Sequence, residues 1–139
     1  MNSEIKSFAE KEYKMYKDEA KAEFTDPRNP DPRKHSYALS VFQTASTKTS
    51  RSVILKTASY TGGAHYNSSL TSFSFDSASG KQISITQATG MTLAEISAEA
   101  RKQLLAEGLD KSMVFDGTSP DEKNFANFAI SEKSVTIYF

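Results

Sequence analysis

The chain has 139 residues, no cysteine, and seventeen basic residues balanced by seventeen acidic ones. This length suits one domain, and the lack of cysteine excludes disulfides, thiol chemistry and zinc sites built on thiolates. The neutral balance argues against nucleic acid as a partner, and no apolar run is long enough to span a bilayer.

Residues 3–24 predict an amphipathic helix, because apolar side chains recur at steps of three and four positions while charged side chains occupy the rest. The apolar positions are Ile5, Phe8, Ala9, Tyr13, Tyr16, Ala20 and Phe24. Three prolines then fall within residues 27–32 and end any helix. We expect a single domain, in which residues 1–35 form this helix and a linker and residues 36–139 form a core of sheet, helix and hairpin.

From Ser36 onward the pattern changes to a period of two, which is typical of β-strands. The alternating apolar residues are Tyr37, Leu39 and Val41. Two further runs rich in β-branched, aromatic and hydroxyl residues follow, SVILKTASY and LTSFSF. Asp76 and Gly80 bound a turn of the kind that closes a hairpin, so we predict a short strand around Ile83 and Ile85.

The clearest helix is predicted for residues 92–107. Thr92 and Glu95 have the spacing of a capping box, and Gly108 supplies the stop. Ser119, followed by a proline, signals a second short helix. The last alternating runs, NFAI and SVTIYF, predict a closing hairpin. Strands flanked by helices favour an α+β fold, with a mostly antiparallel sheet packed against the N-terminal helix and the central helix.

The candidate site is the loop YTGGAHYN between the second and third predicted strands. We predict that its residues contact a ligand: Tyr60, Gly62, Gly63, His65, Tyr66 and Asn67. Adjacent glycines permit a positive φ and a close approach to neighbouring backbone. The loop would therefore turn sharply and aim its aromatic rings in fixed directions.

Catalysis is the weaker interpretation of this loop. His65 could act as the general base of a hydrolase or transferase, oriented by an acid such as Asp76, but no catalytic motif surrounds it. A phosphate loop would lead into a helix, whereas this one leads into a strand pattern. His35 and His65 lack the spacing of a zinc site. We therefore predict no catalytic residue, no metal and no cofactor.

The order of these motifs resembles the RsiV-type domain of bacteria. The loop at residues 60–65 is the most specific match, and the turn FDSASGK at residues 75–81 and the pair Phe125 and Phe128 support it. Residues 1–35 resemble the end of a smaller domain that usually precedes this one. The family continues past its final strand, so we expect part of its usual surface to lie beyond Phe139.

This resemblance implies an extracytoplasmic domain of largely unknown function. Such domains form the outer part of RsiV-like anti-sigma factors, where lysozyme is the known ligand, and the accessory part of some peptidoglycan deacetylases. The implied role is binding or sensing a protein or a cell-wall glycan, with any signal or membrane anchor outside this chain. Lysozyme is basic and would need an acidic surface, which the sequence offers between Glu95 and Glu122. We expect a monomer; a purely structural accessory domain is the remaining alternative.

Overall fold

The computed structural model describes residues 2–28, 35–61 and 65–139. Its architecture is α+β, as predicted. The helical elements are α1 (Asn2–Thr25), α2 (Ile85–Thr89), α3 (Leu93–Ala106), α4 (Lys111–Gly117) and a 3-10 turn (Glu122–Phe125). The strands are β1 (Ser36–Ser46), β2 (Ser50–Tyr60), β3 (Asn67–Asp76), β4 (Phe128–Ile130) and β5 (Val135–Ile137). None of the helices in the described ranges is both long enough and apolar enough to cross a bilayer.

The main sheet is antiparallel, with β2 lying between β1 and β3. Ser59 pairs with Asn67, so the ends of β2 and β3 that meet at the predicted loop are level. A bulge between Val41 and Gln43 shifts the register of β1. Val41, which the alternation places on the buried face, is 61% exposed at this bulge. The predicted pattern of β1 therefore holds only as far as Leu39.

Helix α1 covers one face of the main sheet. Its residues Ile5 and Phe8 pack against a core cluster formed by Leu55, Phe73 and Phe75. The rings of Phe8 and Phe73 meet edge to face, with centroids 5.5 Å apart, a favoured aromatic geometry. The helix predicted for residues 3–24 is thus confirmed, with Ile5 and Phe8 holding it on the sheet, whereas Tyr13 and Phe24 of the predicted apolar stripe are 55% and 54% exposed.

Three serines on the opposite face, Ser52, Ser72 and Ser74, are buried against the hairpin β4–β5, and we call them the serine seam. The Ser72 hydroxyl accepts a hydrogen bond from the backbone N–H of Phe128 at 2.8 Å. The Ser52 hydroxyl accepts one from the backbone N–H of Ile130 at 3.0 Å and lies 2.8 Å from the Ser74 hydroxyl. Side chains of one sheet therefore satisfy buried backbone groups of the other, as burial requires.

The central helix α3 packs against the hairpin. Ile96 and Ala100 of α3 share a buried cluster with Ile85, Phe125 and Phe128. The central helix therefore packs against a sheet, as predicted, and that sheet is the two-stranded one. Because the seam joins that hairpin to the three-stranded sheet, the hairpin lies between the main sheet and α3.

Two capping boxes fix the helices that follow the main sheet. The predicted box of Thr92 and Glu95 is present, with the Thr92 N–H donating to the Glu95 carboxylate at 2.8 Å. Ser84 and Gln87 form a second box at the start of α2. Helix α3 ends just before Gly108, whose φ of +83° suits glycine and confirms the predicted stop.

Two further local predictions need correction, and one helix was not predicted. The strand around Ile83 and Ile85 is wrong, because α2 begins at Ile85 under the Ser84 cap and pairing stops at a single bridge before it. Helix α4 has no counterpart in the sequence prediction. The second short helix is a 3-10 turn capped by Asp121, and not by Ser119.

Replacing Ser72 with alanine should destabilise the domain, because it leaves the buried N–H of Phe128 without an acceptor. An unsatisfied buried group costs about 1–3 kcal/mol, so urea unfolding should show a loss of that size. The matched control is S68A on the same strand, where the serine is exposed and the change should stay within about 0.5 kcal/mol. Equal losses in the two variants would contradict the seam.

The turn after β3 makes part of the stability dependent on pH. The Asp76 carboxylate accepts hydrogen bonds from the side chain and the backbone of Ser79, both at 2.7 Å, and these lower its pKa. A pKa lowered by folding contributes stability above the unfolded-state value of 3.8, and this is lost as the pH falls through the folded-state value.

We therefore expect D76N to lose less stability than the natural protein between pH 7 and pH 3, because its amide cannot titrate. Urea midpoints measured for both proteins at the two pH values give the comparison. Identical losses on acidification would show that Asp76 does not contribute to the pH dependence.

Candidate functional site

The loop chosen from the sequence connects β2 to β3, as predicted. Tyr60 is the last residue of β2, and Asn67 is the first residue of β3. Gly62 and Gly63 lie outside the described residues, so the predicted glycine bend stays a prediction. His65 and Tyr66 lead into β3.

Tyr60 and Tyr66 form an aromatic pair at the end of the main sheet. Their ring centroids are 5.1 Å apart, with a tilt of 38° between the ring planes. Tyr60 is half-buried, whereas 66% of Tyr66 is exposed. His65 and Asn67 beside them are also exposed. The pair therefore offers a ring surface to a ligand without any need for the strands to move.

The described part of the protein places no side-chain partner beside the His65 imidazole. Among the described residues, no side chain forms a hydrogen bond or an ion pair with its imidazole. A catalytic imidazole is usually oriented by a second group that fixes its tautomer. Over the ranges that the structure describes, no group of three or more His, Asp or Glu side chains could hold a metal ion.

A groove of about 500 Å³ opens on the face of the main sheet that carries the serine seam. We call it the aromatic groove; its lining comprises Phe42, Lys56, Ser68, Ser69, Leu70, Asn127, Tyr138 and Phe139. The groove exists because β4 and β5 are three residues long, whereas β2 has eleven. The hairpin covers the face around Ser52 and Ser72 and leaves the part around Lys56 open.

Hydrogen bonds and ring contacts fix one wall of the groove. The Tyr138 hydroxyl donates to Gln43 at 2.6 Å, and its ring meets the Phe42 ring edge to face at 6.2 Å. The Tyr138 N–H donates to the Asn127 carbonyl at 2.8 Å, and the Asn127 side-chain oxygen accepts from the Ser72 N–H. This wall is therefore shaped before any ligand arrives, which lowers the entropic cost of binding.

Some polar groups that line the groove can form hydrogen bonds with a ligand. No described residue accepts a hydrogen bond from the Asn127 side-chain nitrogen, and the Ser68 side chain is exposed. Lys56 is exposed and, among the described residues that line the groove, it carries the only charged side chain. Aromatic walls with a few convergent polar groups are typical of small-molecule sites.

The groove and the aromatic pair belong to one strip of surface. Lys56 and Tyr60 are four residues apart on β2, so they share a face and lie about 13 Å apart along the strand. The residues predicted from the sequence lie at the loop end of this strip, and none of those described lines the groove. A usable signal was Lys56, the single charge in the run SVILKTASY. Phe42 and Tyr138 gave none, because 96 positions separate them and the bulge decides where Phe42 points.

Two other cavities have a similar size. One of about 480 Å³ lies between the start of α2 and the 3-10 turn, and one of about 530 Å³ lies between α3 and β5. Neither includes a residue of the predicted loop or of the main sheet's open face. Of these three cavities, the aromatic groove is the one that lies on the same strip as the loop.

The comparison with known proteins finds a cell-wall enzyme of which one part is similar to this chain. The chain is 28% identical, over 148 aligned residues, to the peptidoglycan-N-acetylmuramic acid deacetylase PdaC of Bacillus subtilis (strain 168). The match takes in all of this chain and 30% of the deacetylase. The chain therefore spans less than a third of that relative's length. No protein-family model matches the chain.

Proposed function

We propose that this chain is a non-catalytic binding module for cell-wall glycan that works outside the cytoplasmic membrane. The observation that carries the proposal is the aromatic groove, which is open, pre-shaped and continuous with the strip that ends at Tyr60 and Tyr66. Its rings and its free polar groups match the two kinds of surface that a sugar presents.

Sugar rings have apolar faces of C–H groups and a rim of hydroxyl and amide groups. The apolar faces can lie on aromatic rings, here Phe42 and Tyr138 in the groove and Tyr66 at the loop. The rim needs hydrogen-bond partners, because an unpaired polar group loses water without compensation. The Asn127 side-chain nitrogen and the Ser68 hydroxyl can supply them.

The length of the strip favours a polymer over a single sugar. Lys56 in the groove and Tyr60 at the loop are about 13 Å apart along β2, which is longer than one sugar ring. A linear glycan of several units could therefore contact both the groove and the aromatic pair. Contact at both places raises the overall affinity for the glycan, even where each single contact is weak.

The similarity to PdaC supports this proposal. PdaC is named as an enzyme that acts on the N-acetylmuramic acid of peptidoglycan, a polymer of the cell wall. We expect a domain related to part of such a protein to bind the same cell wall and to lie outside the cytoplasm. This agrees with one role that the RsiV resemblance implies, that of an accessory domain of a peptidoglycan deacetylase. The other implied roles, in an anti-sigma factor and in lysozyme binding, stay predictions.

Titration calorimetry with N-acetylglucosamine oligomers and with peptidoglycan strands freed of their stem peptides tests the proposal. We expect F42A and Y66A each to weaken binding about five- to tenfold, since a ring contact contributes about 1 kcal/mol. Y13A is the matched control, because Tyr13 is 55% exposed on α1, outside the groove lining. It should bind like the natural protein.

Two results would contradict the glycan proposal. One is an absence of binding to both glycans, and the other is an equal loss in Y13A. Lysozyme titrated in the same way covers the protein-ligand alternative. Binding to lysozyme without binding to glycan would favour a sensor of basic proteins.

The non-catalytic part of the proposal has its own test. Because His65 has no orienting partner among the described residues, incubation with the same glycans should release neither acetate nor new reducing ends. Turnover that the natural protein shows and H65Q lacks, at equal folded content by circular dichroism, would instead establish an enzyme that uses this histidine.

A further inference from the structure

Lys56 stands out among the groove side chains by its charge. The other lining side chains are aromatic, aliphatic, hydroxyl or amide groups. Among the described residues, none forms an ion pair or a hydrogen bond with the Lys56 ammonium. An ammonium beside neutral walls attracts an anion more strongly than one surrounded by acids.

The chain supplies no acid near this lysine along the sheet. From Ser36 to Phe75 the sequence contains no Asp or Glu, and the first acid, Asp76, lies at the opposite end of β3 from the loop. The direct neighbours of Lys56 across the sheet are Ser40 on β1 and Leu70 on β3. The hairpin brings neutral side chains to the groove. Among the described side chains of the sheet and the groove, Lys56 therefore has no counter-charge.

We propose that Lys56 binds a carboxylate carried by the glycan, so that the groove selects acidic sugars over neutral ones. This inference rests on the proposed function, because it assigns a role to a residue of the same groove. The lysine stem can lie along the rings while its three N–H donors reach the carboxylate. N-acetylmuramic acid, the acid sugar of the proposed ligand, supplies such a group once the stem peptide is removed.

A carboxylate fits the site better than a phosphate. One ammonium among neutral partners balances one negative charge, whereas phosphate sites usually gather several cationic or backbone donors. The interaction is exposed, so it should tune selectivity and leave most of the affinity to the rings. It should also weaken with salt, because mobile ions screen exposed charges.

The test compares two forms of one ligand. Peptidoglycan strands freed of their stem peptides keep the sugar carboxylates; chemical reduction of these to alcohols removes the charge and keeps the backbone. We expect the natural protein to bind the intact strands about three- to fivefold more tightly than the reduced ones at low ionic strength, and this ratio to approach one at about 0.5 M salt. Strands that keep their peptides distinguish a carboxylate on the sugar from one on the peptide.

Substitutions assign the effect to Lys56. K56M should lose the preference and show an intact-to-reduced ratio near one, and K56R should keep the preference. The matched control K81M removes an equal charge from the turn after β3 and should keep it too. Four results would overturn the inference. The ratio could stay unchanged in K56M or be lost in K81M. The natural protein could bind both strands equally, or its preference could require the stem peptide. Absence of binding to any strand would instead remove the proposed function on which it rests.

Discussion

The hydrogen bonds of the serine seam are the constraint on which the rest of the structure depends. Ser52 and Ser72 are buried, and their hydroxyls accept hydrogen bonds from backbone N–H groups of the closing hairpin. A valine or leucine at either position would leave those groups without partners in a dry interface, so the seam fixes where the hairpin can sit. Helix α3 packs on that hairpin and depends on the same contact.

The open site follows from the same arrangement. A hairpin with strands of three residues covers only part of a sheet whose central strand has eleven. The uncovered part lies on the same face of the sheet as the serine seam. Tyr138, which follows β5, contacts Phe42 there. The groove wall is thus an extension of the buried contact, and its rigidity comes from the core. The aromatic pair at Tyr60 extends this surface along β2.

Sequence reasoning captured what short-range patterns determine. The periodicity of α1, the three long strands, the Thr92 capping box and the closing hairpin all depend on residues close together in the chain. It failed at Ile85, where an alternating pattern concealed a five-residue helix that the Ser84 cap starts. It proposed the loop tyrosines, which stay a prediction, and did not indicate the groove, because Phe42 and Tyr138 meet only through a bulge and a long-range pairing of sheets.

The bulge in β1 has a second consequence, for aggregation. In the described part of the chain, β1 pairs only with β2, so its other edge has no strand partner there. A long flat edge of this kind can recruit strands from other molecules and seed amyloid-like growth. The bulge between Val41 and Gln43 interrupts the regular edge of β1 and leaves Phe42 exposed. The same distortion makes it harder for a strand of another molecule to pair with this edge.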